Sequence, residues 1–382
     1  MFEFISDGSY KEDLDFYTNN IIKEYGVSSK SSEREIICLA NDGNVVAKKL
    51  YADMLFYKKI HRKNNYREAF SLYMSSADIS YKDDELIGGG RSYPLSFWYV
   101  AFYLVNYRKN SFLERSEEIE EIEKMPYNIR LLTAFKLSVS ALEYENISGA
   151  INLIGRILML AGDHDIYNDV AAIYNKAVEE CDNIRNLISS YSEDYVDRKK
   201  MYLSTEKDLL RLAEVFYVLA ARRGYVFACN SLAAGKADEI VDMYNTLKSK
   251  VDQDNTKQQI SSVGNDDMNK LDELVADYIK YLKIAADKLE PYAANRLGLF
   301  YMTGEVAGKS GEIRLKQYTD TALAKDYFHK AIVYPDVNSA WAYYNLMKYF
   351  PKTFSTDIAL TNEYMDYIKV LNRKVYDLAM DL

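Results

Sequence analysis

Proline and glycine are scarce. Five prolines and sixteen glycines serve 382 residues, and Pro94, Pro126, Pro291, Pro335 and Pro351 all stand between apolar-periodic segments rather than inside them, as in helices joined by short turns. Sustained period-2 alternation is missing, which removes the signature of half-buried strands. The three cysteines, Cys38, Cys181 and Cys229, are odd in number and far apart, so they form neither a disulfide framework nor a zinc spacing and read as buried thiols. The three histidines, His61, His164 and His329, are widely separated and give no converging acid, base or ligand set. No basic segment followed by an apolar run opens MFEFISDGSYKEDLDF, which predicts a cytoplasmic protein. The most apolar run, Phe97 to Tyr107, contains Asn106 and is about half of the roughly 20 residues that cross a bilayer. A net charge of -9 repels nucleic-acid phosphates and anionic lipid, so neither is an expected partner.

What the chain has in quantity is helical periodicity. Hydrophobic residues make up 48% and charged residues 27%, enough apolar material for a large core. Spacings such as Leu209, Leu212, Ala213, Phe216, Ala220 and Leu131, Phe135, Leu142 follow the 3.6-residue period. Thr205 followed by Asp208, and Ser148 ahead of GAINLIGRILML, read as helix starts. Two stretches look loop-like: residues 82 to 93, with Gly88, Gly89 and Gly90, and the polar residues 247 to 269, which read as a long connection or a frayed helix end.

The chain also aligns with itself. Ala220, Ala221, Gly224, Ala228, Leu232 and Ala233 match Ala285, Ala286, Leu289, Ala293, Leu297 and Gly298 at every interval, with a displacement of 65 residues from 228 to 293. Small residues at such positions let neighbouring helices approach closely. Ala293, Leu297, Gly298, Tyr301 and Gly304, followed by Ala324, Tyr327, Phe328, Lys330, Ala331 and Ile332, resemble the first and second helices of the Sel-one-like repeat family, relatives of tetratricopeptide repeats. Tyr66, Ala69, Leu72, Tyr73, Ser76 and Ala77 resemble a second helix, with Ala47, Tyr51, Ala52 and Leu55 in the helix before it. Ser96, Val100, Ala101 and Leu104 form a looser copy. Residues 128 to 190 match poorly. The resemblance implies an all-α fold, a right-handed α-solenoid of tandem antiparallel helical hairpins. Capping helices are expected over 1–45 and 351–382, and repeats over 46–350 with the polar connection near 247–269.

Other features are weighed against simpler readings. TGEVAGKS, residues 303 to 310, is one residue short of a phosphate-binding loop and follows a helix rather than a strand, so it reads as an enlarged loop within a repeat. Asp163, Asp165 and Asp169 lack the full pattern of a calcium loop, and Asp163 or Asp165 reads as a helix cap. The acidic run 114 to 124, with Ile119 and Ile122 on one side, reads as a solvated helix face.

In this repeat class, the residue two positions after the first-helix Ala resembles those that face the concave groove. That places Asn230 and Asn295 there and, by looser registers, Trp98 and Trp341. Asparagine amides would bond an extended peptide backbone and the indoles would supply contact area; the alternative is that the tryptophans belong to the core. The expected function is a cytoplasmic, bacterial, non-enzymatic scaffold that binds a protein or peptide, with no cofactor or metal. A peptide-sensing regulator and an immunity protein that occludes a toxin or enzyme are the alternatives.

Overall fold

The computed structural model describes residues 31–56, 65–82, 85–88, 93–107, 119–144, 147–191, 201–253, 265–333 and 338–382. They are overwhelmingly helical and divide into two compact units, one ending at Tyr225 and one running from Val226 to Leu382. None of the described helices is long and apolar enough to cross a membrane.

The first unit holds α1 (Glu33–Asn41), α2 (Val45–Phe56), α3 (Asn65–Ser76), a hairpin of β1 (Ile79–Lys82) and β2 (Glu85–Gly88), α4 (Pro94–Asn106), the single turn α5 (Glu120–Glu123), α6 (Tyr127–Tyr144), α7 (Ser148–Ala161), α8 (Tyr167–Glu180), α9 (Asp182–Ser189) and α10 (Lys207–Arg222). Helix α2 packs on α3, α3 on α4, α4 on α6, and α6 on α7. The chief partner of α7 is not the next helix in the chain but α10, with α8 and α9 placed between them in sequence and packed on α6. This insertion is why residues 128 to 190 lack a legible repeat register: the hairpin partner of α7 lies beyond them.

The second unit holds α11 (Val226–Gln253), α12 (Asn265–Asp287), α13 (Pro291–Thr303), a hairpin of β3 (Glu305–Gly308) and β4 (Gly311–Arg314), a 3-10 turn (Lys316–Tyr318), α14 (Thr321–Ala331), α15 (Ser339–Tyr349), α16 (Pro351–Thr356), α17 (Ile358–Leu371) and α18 (Arg373–Ala379). Helices pair as α11 with α12, α13 with α14 and α15 with α17, and α13 and α14 both pack on α15. Of the two readings of 247–269, a connection or a helix end, the described parts are helix, because α11 runs on to Gln253 and α12 begins at Asn265. Helix propensity outweighs polarity there, where one face still buries Leu247 and Leu271. The stretch 82–93 likewise contributes a strand rather than a loop alone. Of the expected N-terminal cap, residues 1–30 lie outside the described residues.

Four turns among the described residues share one geometry. Gly43, Asp165, Gly224 and Leu289 take left-handed φ values of 94, 53, 85 and 63°. The next N–H, from Asn44, Ile166, Tyr225 or Glu290, donates to the carbonyl five residues back, of Leu39, Ala161, Ala220 or Ala285, at 3.0 to 3.2 Å. This bond satisfies a helix-end carbonyl that would otherwise be orphaned, and the following helix begins at once. Gly224 and Leu289 are the two turn positions that the 65-residue self-alignment superposes. Asp165 therefore caps through its backbone conformation, which a short polar side chain tolerates.

Both β-hairpins are closed excursions. Tyr93 N–H donates to the Ser76 carbonyl at 2.9 Å at the base of one, and Leu315 N–H to the Gly304 carbonyl at 2.8 Å at the base of the other. Gly304 ends α13 at a φ of 74°, and a Cβ there would stand 2.6 Å from Leu315 backbone. Gly304→Ala is expected to lower unfolding free energy by more than the roughly 1–2 kcal/mol of left-handed strain alone, whereas Asp165→Gly, at an exposed left-handed site, should raise it by about 1 kcal/mol. Urea denaturation at equilibrium checks both.

Candidate functional site

Five described helices repeat one burial pattern. A small residue is followed four and five positions later by an apolar and a small or apolar residue: Ala47, Tyr51, Ala52 on α2; Ser96, Val100, Ala101 on α4; Ala150, Ile154, Gly155 on α7; Ala228, Leu232, Ala233 on α11; Ala293, Leu297, Gly298 on α13. All are buried. The α7 copy is absent from the sequence reading, although Ala150, Ile154 and Gly155 carried its spacing. The position two after the small residue is Lys49, Trp98, Asn152, Asn230 and Asn295 in turn, and three of them, Lys49, Asn230 and Asn295, meet polar partners.

Lys49 is wholly buried and its Nζ lies 2.8 Å from Asp53 Oδ2. Tyr73 donates its hydroxyl to Asp53 Oδ1 at 2.8 Å, and the Lys49 ammonium stands 4.7 Å from the centre of the Tyr99 ring, which stacks on Tyr73. Asn230 donates to Glu290 Oε2 at 3.0 Å. The same buried carboxylate caps α13 by accepting from Tyr292 N and Ala293 N. Asn295 accepts from Asn345 Nδ2 on α15 at 2.9 Å, with both amides buried.

Two of the four residues expected to line an open groove are thus interior. Trp98 is 6% exposed and Asn295 8% exposed. The indole of Trp98 lies against Gly149 of α7, where an added Cβ would fall 2.2 Å from Cε2. Close packing of α4 on α7 pulls the ring inward. Asn230 is half-buried and already engaged through its NH₂, and Trp341 is half-buried in a T-shaped contact with Tyr344. At the surface instead are Phe227 and Tyr292, each 40% exposed and each immediately before the small residue of its helix.

TGEVAGKS forms the end of α13 and the β3–β4 turn rather than a phosphate cradle. Its donors face carboxylates of α11: Lys309 N–H bonds Asp238 Oδ1 at 2.6 Å, and the Ser310 hydroxyl bonds Asp242. Ile119 and Ile122 are 1% and 0% exposed, while Glu123 and Lys124 are exposed, so the described end of the acidic run buries its isoleucine side and leaves these charges in solvent. Among the described residues no three His, Cys, Asp or Glu side chains gather as a metal site. His164 rests edge-on against Tyr127, His329 is exposed, and His61 lies outside the described residues. The thiols are not all buried: Cys38 is exposed and Cys181 half-buried, while Cys229 is buried, and burial pushes its thiol up to about 11 despite Lys288 nearby. The chain matches no protein-family model and no curated protein.

Lys49→Met is expected to cost about 3–5 kcal/mol by stranding the Asp53 carboxylate, and Lys49→Met with Asp53→Leu to recover much of that loss; chemical denaturation of the three proteins decides. At pH 8, a thiol reagent should modify Cys38 fast and Cys181 more slowly, while Cys229 reacts only after unfolding. Peptide mapping by mass spectrometry reads the order.

Proposed function

We propose that this protein is a non-enzymatic scaffold whose helical pairs stack as a right-handed superhelix related to the Sel-one-like repeats, working in the cytoplasm and holding a protein or peptide partner. The observation that carries this reading is the recurrence of one packing pattern on α2, α4, α7, α11 and α13. What the chain repeats is a way of stacking helices, and the residues that vary within it are the polar and aromatic ones. Stacked pairs of this kind expose a continuous face of first helices to a ligand. Phe227, Tyr292 and Trp341 in the second unit are aromatic anchors of the type that dominates binding energy.

Two measurements test it. A stacked array should give a radius of gyration in solution well above the roughly 21 Å of a compact globule of 382 residues. A variant carrying Phe227→Ser, Tyr292→Ser and Trp341→Ala, unchanged in helix content, should lose a partner that the wild-type protein retains in a native pull-down read by mass spectrometry. Turnover of a nucleotide or ester substrate that one point substitution abolishes would overturn the scaffold reading.

A further inference from the structure

The first unit leaves two complementary polar atoms without partners on one helix–helix seam. Helices α4 and α7 pack on each other. Trp98 Nε1 on α4 and Asn152 Oδ1 on α7 are both buried, and neither has a hydrogen bond. Buried polar atoms are almost always paired, because an unpaired one has lost its water for nothing. These two are opposite in sense: one is a donor and the other an acceptor. A single peptide group, with its carbonyl and its N–H, offers the matching pair.

One turn along α7 from Asn152 stands Arg156, half-buried. Its Nη1 donates to Asn106 Oδ1 of α4 at 2.5 Å, and Asn106 Nδ2 donates to the Phe102 carbonyl at 2.8 Å, which fixes the amide that holds the guanidinium. No carboxylate of a described residue pairs with Arg156. Two other half-buried arginines differ: Arg211 pairs with Asp208 and Arg296 faces Glu305. Gly149, Asn152 and Arg156 form one stripe of α7, opposite the stripe Trp98, Phe102 and Asn106 of α4.

We propose that the α4–α7 seam binds an extended peptide bearing a carboxylate. Arg156 takes the carboxylate as a charge-assisted fork, Trp98 Nε1–H donates to a backbone carbonyl, and Asn152 Oδ1 accepts a backbone N–H. Four residues of helix separate Asn152 from Arg156, about 6 Å, so the carboxylate belongs to a residue one or two beyond the amide that is held. Both unpaired atoms are closed to solvent in the free protein. Binding therefore swings the indole off Gly149, and Trp98 reports its own occupancy. This inference rests on the peptide-binding reading above and narrows it to one seam and one ligand chemistry.

The chain has two tryptophans, so Trp341→Phe leaves Trp98 as the sole tryptophan, read by excitation at the red edge where the tyrosines do not absorb. The probes are acetylated random hexapeptide pools of three kinds: free C-terminal acid, C-terminal amide, and amide with one fixed Asp or Glu. Each is titrated by Trp98 emission and by calorimetry. The acid-bearing pools are expected to shift Trp98 emission, and the free-acid and fixed-Asp arms separate a chain terminus from a side chain as the source of the carboxylate. Arg156→Gln should weaken that binding about tenfold or more and remove the preference over the amide pool. Asn152→Leu should weaken binding while leaving the Tm of the free protein unchanged or higher, since the lost amide oxygen has no partner there.

Equal binding of the amide pool would overturn the carboxylate assignment. Calorimetric binding that leaves Trp98 emission unchanged and ignores Arg156→Gln would overturn the seam while sparing the broader peptide reading, and no binding of any pool would count against both. A Tm lowered by several degrees in Asn152→Leu would show the amide to be satisfied in the free protein and would also overturn the proposal.

Discussion

The structure depends on how closely its helices can approach, and small residues set that distance. Gly155 of α7 meets the Ala213 carbonyl and the Tyr217 ring of α10, and an added Cβ would fall 3.0 and 3.2 Å from them. Gly298 of α13 lies under Phe328 of α14, where a Cβ would be 2.5 Å from the ring. Gly149 does the same beneath Trp98. In each case the missing side chain on one helix is filled by an aromatic ring or backbone from another, which keeps the interior at crystal-like density. Larger residues at these points would push the pairs apart and undo the packing on either side.

Close approach has a consequence for polarity. When two helices meet at glycine and alanine, the residue two positions after the small one is carried into the seam whether or not it is apolar. Lys49 meets Asp53 and Tyr73, Asn230 meets Glu290, and Asn295 meets Asn345. These pairs match one helix to one neighbour, since a slip of one residue would bury the same groups unpaired. Trp98 and Asn152 occupy the same positions without such partners. The Oδ1 of Asn230 is likewise unpartnered, while the α4–α7 seam holds a donor and an acceptor together, the pair that the proposed peptide would complete.

Much of the architecture was legible in the sequence because packing positions repeat. The 65-residue self-alignment located α11 and α13 together with their turns, and Gly224 and Leu289 share one left-handed geometry although only one is glycine. The α7 copy stayed hidden because its partner α10 follows an insertion of two helices, and a local alignment cannot see across it. TGEVAGKS resembled an anion site because its donors do face anions, yet those are Asp238 and Asp242 of its own chain. The two sides of the acidic run were legible too, since Ile119 and Ile122 are buried while Glu123 and Lys124 are exposed.

By itself the sequence determined that the chain is helical and where small residues would let helices meet. These follow from periodicity, turn chemistry and side-chain size, all local properties. Only the tertiary structure decided which helices pair and which polar groups find partners, because both depend on residues dozens of positions apart in the chain. Trp98 shows the division: its place on the helix could be read from the sequence, but whether the indole faced solvent or Gly149 was settled by how near α7 could come.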